Sequence, residues 1–271
     1  MDVAALYAFG LTLFAGLCTG IGGAIALVAK RTNTSLLALS LGLSAGVMVY
    51  ISFMELLGAS LSVLKSSYGE VSGELYGVLA FFFGILLIML LDFVIPEEDN
   101  PHEVHSIEDL SRPKGGISGK SKSGLHRVGL MSAIVIAIHN FPEGMVTFLT
   151  ALTDASLAIP IAVAIAIHNV PEGISVAVPI YYSTGNRAKA FWASFTSGLA
   201  EPLGAGLAYL LLAPYLSPVL LSILNSIIAG IMVYISLDEL LPTAEAYGKH
   251  HLAILGVVVG MLVMALTLLI L

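Results

Sequence analysis

Charge is what this chain lacks most. Only 11% of its 271 residues are Asp, Glu, Lys or Arg, against about 25% in an average soluble domain. A soluble globule needs a polar shell, and too few polar residues are present to build one, so an ordinary soluble domain is excluded. Cysteine is all but absent. Cys18 stands alone, which excludes an internal disulfide and any cysteine-based zinc site. Basic residues are also scarce, eleven against eighteen acidic ones for a formal net charge of −7, so there is no basic footprint for nucleic acid. What abounds is apolar: 58% of the residues are hydrophobic. At about 20 residues per bilayer span, that fills roughly eight spans with little left over.

Short polar breaks place those spans near 6–29, 36–57, 74–95, 127–151, 157–181, 188–212, 216–241 and 250–271. The predicted fold is therefore all-α, a polytopic membrane bundle of eight transmembrane helices in one domain, 1–271, surrounded by membrane lipid. The first stretch is no signal peptide, because it lacks a basic leading region and is too long. Lys30, Arg31, Arg112, Lys114, Lys120, Lys122, Arg127, Arg187, Lys189 and Lys249 all fall in or beside odd-numbered loops, and only Lys65 in an even one. The positive-inside rule assigns the odd loops to the cytoplasm and both termini to the outer side. The one long polar segment, 96–126, reads as a flexible cytoplasmic loop. Its His102 and His105, among acidic neighbours, are candidates for weak metal binding.

Two internal repeats organise the bundle. AGVMVYISFMELL (45–57) matches AGIMVYISLDELL (229–241) at ten of thirteen positions. The copies lie in spans 2 and 7, which cross in opposite senses. That suggests an inverted repeat of spans 1–3 and 6–8, a common ground plan of secondary transporters. IAIHNFPEG (136–144) matches IAIHNVPEG (165–173) at eight of nine, in the spans 4 and 5 left between. A 3+2+3 arrangement follows, with the central pair as its working element.

The central pair carries the chemistry. His139 and Glu143 are four apart, as are His168 and Glu172, so each pair shares a helix face. Pro142 and Pro171 each release a backbone carbonyl one turn earlier; Gly144 and Gly173 let another backbone approach. Asn140 and Asn169 add amide oxygens, and Glu201 in span 6 a third intramembrane carboxylate. An ionised side chain at a helix centre costs roughly 2.5–3.5 kcal/mol, and three carboxylates together also repel. A divalent cation relieves both costs; shared protons are the alternative. Mixed nitrogen and oxygen donors without thiolate suit Zn(II), Fe(II), Mn(II) and Co(II) better than Cu(I) or Ca(II). At the cytoplasmic end Asp92, Asp238 and Glu239 gather, where they could receive a departing cation. Glu55, near the outer end of span 2, is a candidate for the entrance. For all four, an ordinary helix-end carboxylate facing water or headgroups is the competing explanation. Gly16/Gly20, Gly42/Gly46 and Gly256/Gly260 are GxxxG pairs suited to close helix packing or to contacts in a homodimer.

HNFPEG and HNVPEG in consecutive spans resemble the signature of the ZIP (Zrt/Irt-like protein) family of divalent-metal transporters, and the likeness covers essentially the whole chain. The resemblance implies uptake of Zn(II) and related divalent metals through a mid-membrane binuclear centre, in a bacterial cytoplasmic membrane. One metal position would be lined by His139, Glu143, His168 and Glu172. The other would be lined by Asn140, Glu143, Asn169, Glu172 and Glu201, the glutamates of spans 4 and 5 bridging. The family pattern His-Glu-x-x-Pro in span 7 reads Asp238-Glu239-Leu240-Leu241-Pro242 here, which keeps an oxygen donor and changes the metal preference expected there. Two other functions use the same groups. A proton-coupled cation exporter would use the carboxylates as a relay. An intramembrane metallo-hydrolase is disfavoured because no HExxH occurs and no carboxylate is spare as a base. The expected protein is not an enzyme, and the metals are its cargo.

Overall fold

The computed structural model of the chain describes residues 3–28, 34–94, 119–153 and 155–270. Among these the secondary structure is helical, with no strand, as backbone polar groups in lipid demand. The helices are α1 (Val3–Val28), α2 (Thr34–Ile51), α3 (Gly58–Tyr68), α4 (Glu70–Val94), α5 (Gly119–Thr153) and α6 (Ala155–Thr184). Then follow α7 (Arg187–Gly198), α8 (Ala200–Leu211), α9 (Pro218–Ile235), α10 (Leu241–Ala246) and α11 (His250–Ile270). Six stretches among the described residues are long and apolar enough to cross a membrane: Val3–Ile25, Thr34–Tyr68, Glu70–Leu91, Ala158–Val178, Pro218–Ala246 and His250–Leu269. The described part of the chain is thus all-helical, with the long apolar helices that a membrane protein needs. Leucine, phenylalanine and valine side chains on α1, α4 and α11 point outward, as lipid-facing surfaces require.

Two features differ from the expected spans. The apolar run of span 2 ends at 57, yet the helix continues to Tyr68, because Leu64 is fully buried and packs on α4. It stops at Gly69, whose φ of +86° suits a glycine, and α4 turns back at once. Lys65 is held there by Glu74 at 2.9 Å and Glu70 at 3.7 Å. Secondly, both copies of the first repeat run into a single π-helical turn, Ser52–Leu57 after α2 and Ser236–Leu240 after α9. Such turns carry one extra residue and cluster at functional sites. Here they hold Glu55 in one copy and Asp238 and Glu239 in the other.

Helix pairs touch through glycine. A Cβ at Gly42 or Gly46 would overlap the Ala253 or Val257 carbonyl of α11, and one at Gly256 or Gly260 the Leu39 or Leu43 carbonyl of α2. Gly84 and Gly230 make the same reciprocal contact between α4 and α9. These GxxxG glycines are therefore occupied by packing within the chain. The largest apolar cluster sits where α2, α9 and α6 meet, around Met48, Ile51, Ile165 and Met232.

Candidate metal centre

The motif-bearing helices α5 and α6 lie side by side, flanked by α1 and by the α7–α8 pair. The helical spacing turns Asn140 and Glu143 of α5 inward together with His168, Asn169 and Glu172 of α6. With Glu201, each of these six side chains is at most 1% exposed. The glycine after each motif glutamate explains how the flanking helices come so close. Gly144 lies against the backbone of Glu201 and Gly173 against the carbonyl of Thr19, with no room for a Cβ at either. The α7–α8 helix is interrupted at Leu199, which puts Glu201 in the first turn of α8, where the helix dipole favours a carboxylate.

Glu143 Oε1 lies 3.1 Å from His168 Nε2. Glu143, His168 and Glu172 each offer a donor atom within 4.8 Å of the others, a span that one cation can bridge. Ser44 of α2 donates to Glu172 Oε1 at 3.4 Å and is equally close to the His168 carbonyl. Asn169 donates through Nδ2 to the Ala15 carbonyl at 2.8 Å and to Glu201 Oε1. Asn140 donates to the Ser197 carbonyl at 3.4 Å. Both amides are thus anchored by their nitrogens. Asn140 Oδ1, Asn169 Oδ1 and Glu201 Oε2 remain buried, with no hydrogen-bond partner among the described residues. No lysine or arginine is among the described buried residues. Three enclosed carboxylates with an imidazole and open amide oxygens form a site suited to a cation or to shared protons.

The structure thus buries six of the seven residues expected at the centre, and brings Glu143, His168 and Glu172 to one point with Asn169 on Glu201. The side chains of His139 and Asp92 lie outside the described part, although their backbones belong to α5 and α4; His102 and His105 lie outside it altogether. Glu55 is elsewhere. It lines a cavity of about 300 Å³ with Ser60, Thr150, Ser217, Ser222 and Asn225, and none of the six central residues reaches it. Ser60, Thr150 and Asn225 there carry buried oxygens with no hydrogen-bond partner among the described residues. Glu239 is buried and Asp238 half-buried, on the π-helical turn that packs against α2. Sequence reasoning missed Ser44. Its signal was present, because the repeat has Ile228 at the matching position of the second copy, and a hydroxyl in one copy only is a departure that packing alone does not call for.

Comparison with known proteins settles the kinship. The family described as ZIP Zinc transporter matches residues 94–268. The chain belongs to this ZIP family. A protein named Zinc transporter ZupT from Nitratidesulfovibrio vulgaris is 53% identical, the match covering 97% of this chain and 96% of that protein. The proteins of that name from Clostridium perfringens and Streptococcus mutans serotype c are 54% and 55% identical, each over 97% of this chain and 95% and 96% of their own lengths. ZIP membership agrees with the paired His-Asn-x-Pro-Glu-Gly motif and with the apolar helices that carry it.

Proposed function

We propose that this chain is a secondary transporter that carries Zn(II) into the cytoplasm, with Fe(II), Mn(II) and Co(II) as further substrates. The observation that carries this reading is the burial of Glu143, His168 and Glu172 with their donor atoms within 4.8 Å of one another. Relatives at about half identity over nearly the whole chain bear the name of zinc transporters, not of enzymes. The centre is binuclear. His139, Glu143, His168 and Glu172 take one cation; Asn140, Asn169 and Glu201 take the second, with Glu143 and Glu172 shared. The open oxygens of Asn140, Asn169 and Glu201 support the second position.

The bundle has eight spans in a 3+2+3 plan, one transport domain in a bacterial inner membrane, with both termini outside. Matched π-helical turns in the two repeat copies and matched glycine contacts of α2 with α11 and α4 with α9 support the inverted repeat. Lys65, the one basic residue assigned outside, is neutralised by its two glutamates, which accords with the charge rule. Glu55 in its polar cavity receives cations from outside, and Asp92, Asp238 and Glu239 release them inside. An inward-negative potential drives a dication by about 4.6 kcal/mol per 100 mV. Zinc uptake by proteoliposomes tests the proposal. Glu143→Ala and Glu172→Ala abolish uptake if the centre lies there, and undiminished uptake in either would remove it.

A further inference from the structure

The contacts of α1 with α6 and those of α7–α8 with α5 repeat one another residue for residue. Asn169 donates to the Ala15 carbonyl, and Asn140 to the Ser197 carbonyl. Gly173 abuts the Thr19 carbonyl, and Gly144 the Glu201 carbonyl. Gly22 abuts the Val170 carbonyl, and Gly204 the Phe141 carbonyl. One offset relates 15 to 197, 19 to 201 and 22 to 204, while another relates 140 to 169, 141 to 170 and 144 to 173. Gly16 and Gly198 face each other's carbonyls and mark the axis. Thr19 therefore occupies in one half the position that Glu201 occupies in the other.

Its side chain is left open, as that of Thr150 is in the Glu55 cavity, whereas three other threonines of the bundle are satisfied by their own helix. Thr12, Thr147 and Thr153 return their hydroxyls to the carbonyl one turn earlier. For Thr19 that carbonyl belongs to Ala15 and already accepts from Asn169. Thr19 is fully buried, and its Oγ1 has no hydrogen-bond partner among the described residues. Across the axis, Asn169 reaches Glu201. The counterpart of Asn169 is Asn140, whose Oδ1 is also buried and open. Buried oxygens left open are costly unless something polar meets them.

Resting on the central metal reading, we propose that Thr19 Oγ1 is a neutral oxygen position at the central site, the uncharged counterpart of Glu201. It holds a water of the hydration shell of the divalent cation that Asn140 Oδ1 ligates. The central site is thereby one carboxylate short of two-fold symmetry, which keeps the cation releasable. Calorimetric titration of the purified full-length protein with Zn²⁺, alongside thermal unfolding without metal, tests this. Thr19→Val removes the hydroxyl and keeps the shape. Zinc binding should weaken about tenfold, with the metal-free midpoint no lower than that of wild type, and Thr19→Ser should restore it. Thr19→Asp adds the missing charge, so zinc should bind about tenfold tighter and cross proteoliposome membranes more slowly. A Thr19→Val protein that is less stable without metal yet binds zinc normally would show a packing hydroxyl and overturn the proposal. So would Thr19→Asp with unchanged affinity and uptake. A wild-type protein that binds no zinc overturns the central site as well; normal wild-type binding with indifferent Thr19 variants overturns this inference alone.

Discussion

Glu143→Gln separates a metal-binding carboxylate from a structural one. The amide oxygen of glutamine can still accept from His168 Nε2, now 3.1 Å from Glu143 Oε1, so the variant removes charge and leaves shape and one hydrogen bond in place. Without metal, Glu143 is one of three buried carboxylates, each costing ~2.5–3.5 kcal/mol where ionised. Losing one also lessens repulsion from Glu172 and Glu201. The metal-free variant should therefore be more stable than wild type, by roughly 1–3 kcal/mol. With zinc the order reverses. At free zinc ~100 times the wild-type dissociation constant, bound metal stabilises the folded protein by about 2.7 kcal/mol. A variant that binds 100-fold more weakly keeps only about 0.4 kcal/mol of that stabilisation. Thermal unfolding in detergent, followed by the fluorescence of the single Trp192 with and without zinc, reads both numbers. A midpoint that falls without zinc, together with an undiminished zinc-induced rise, would refute the reasoning and make Glu143 a helix-holding group.

Other consequences are equally concrete. Gly173→Ala puts a methyl group into the Thr19 carbonyl, so α1 and α6 must part; a loss of ~1–3 kcal/mol and severely reduced zinc uptake are expected, read by unfolding and by proteoliposome flux. Ser44→Ala removes a long, 3.4 Å hydrogen bond to Glu172, and should cost less than about 1 kcal/mol with uptake retained. Because imidazole must be neutral and carboxylates ionised to hold a metal, zinc uptake should fall as pH is lowered through the carboxylate and imidazole range; an uptake rising toward acid would point to proton-driven transport. Glu55→Gln should raise the zinc concentration needed for half-maximal uptake while sparing the maximal rate, since Glu55 lies outside the central cluster; a lost maximal rate would place it in the translocation step.

Much of this architecture was legible because its signals are compositional or strongly repeated. Apolar runs announce spans, since the bilayer admits little else. The two HN(F/V)PEG copies announce a shared site, because buried His and Glu at one helical turn are costly unless they act together. Other relations were hidden. The match between α1 and α7–α8 rests on few residues, chiefly Gly16-Leu17 with Gly22 against Gly198-Leu199 with Gly204. Contact with a carbonyl asks only that a Cβ be missing, a demand that leaves almost no trace. The π-helical turns at Ser52–Leu57 and Ser236–Leu240 have no residue signature either, as one surplus residue per turn looks like any helix. GxxxG pairs read equally well as packing or as dimer contacts until Ala253, Val257, Leu39 and Leu43 were seen against them.

By itself the sequence determined that this chain lives in a bilayer and that two histidine–glutamate pairs with Glu201 stand within it. Scarcity made that possible: in a chain with 11% charge, each intramembrane carboxylate is conspicuous. Only the tertiary structure decided which donors meet. It brought Glu143, His168 and Glu172 together, tied Asn169 to Glu201, sent Glu55 to a separate cavity, and gave Thr19 the place in one half that Glu201 has in the other. The physical reason is that donor identity is a property of single residues, whereas convergence depends on how closely backbones approach. Glycines such as Gly144 and Gly173 set that distance only once the partner helix is in place.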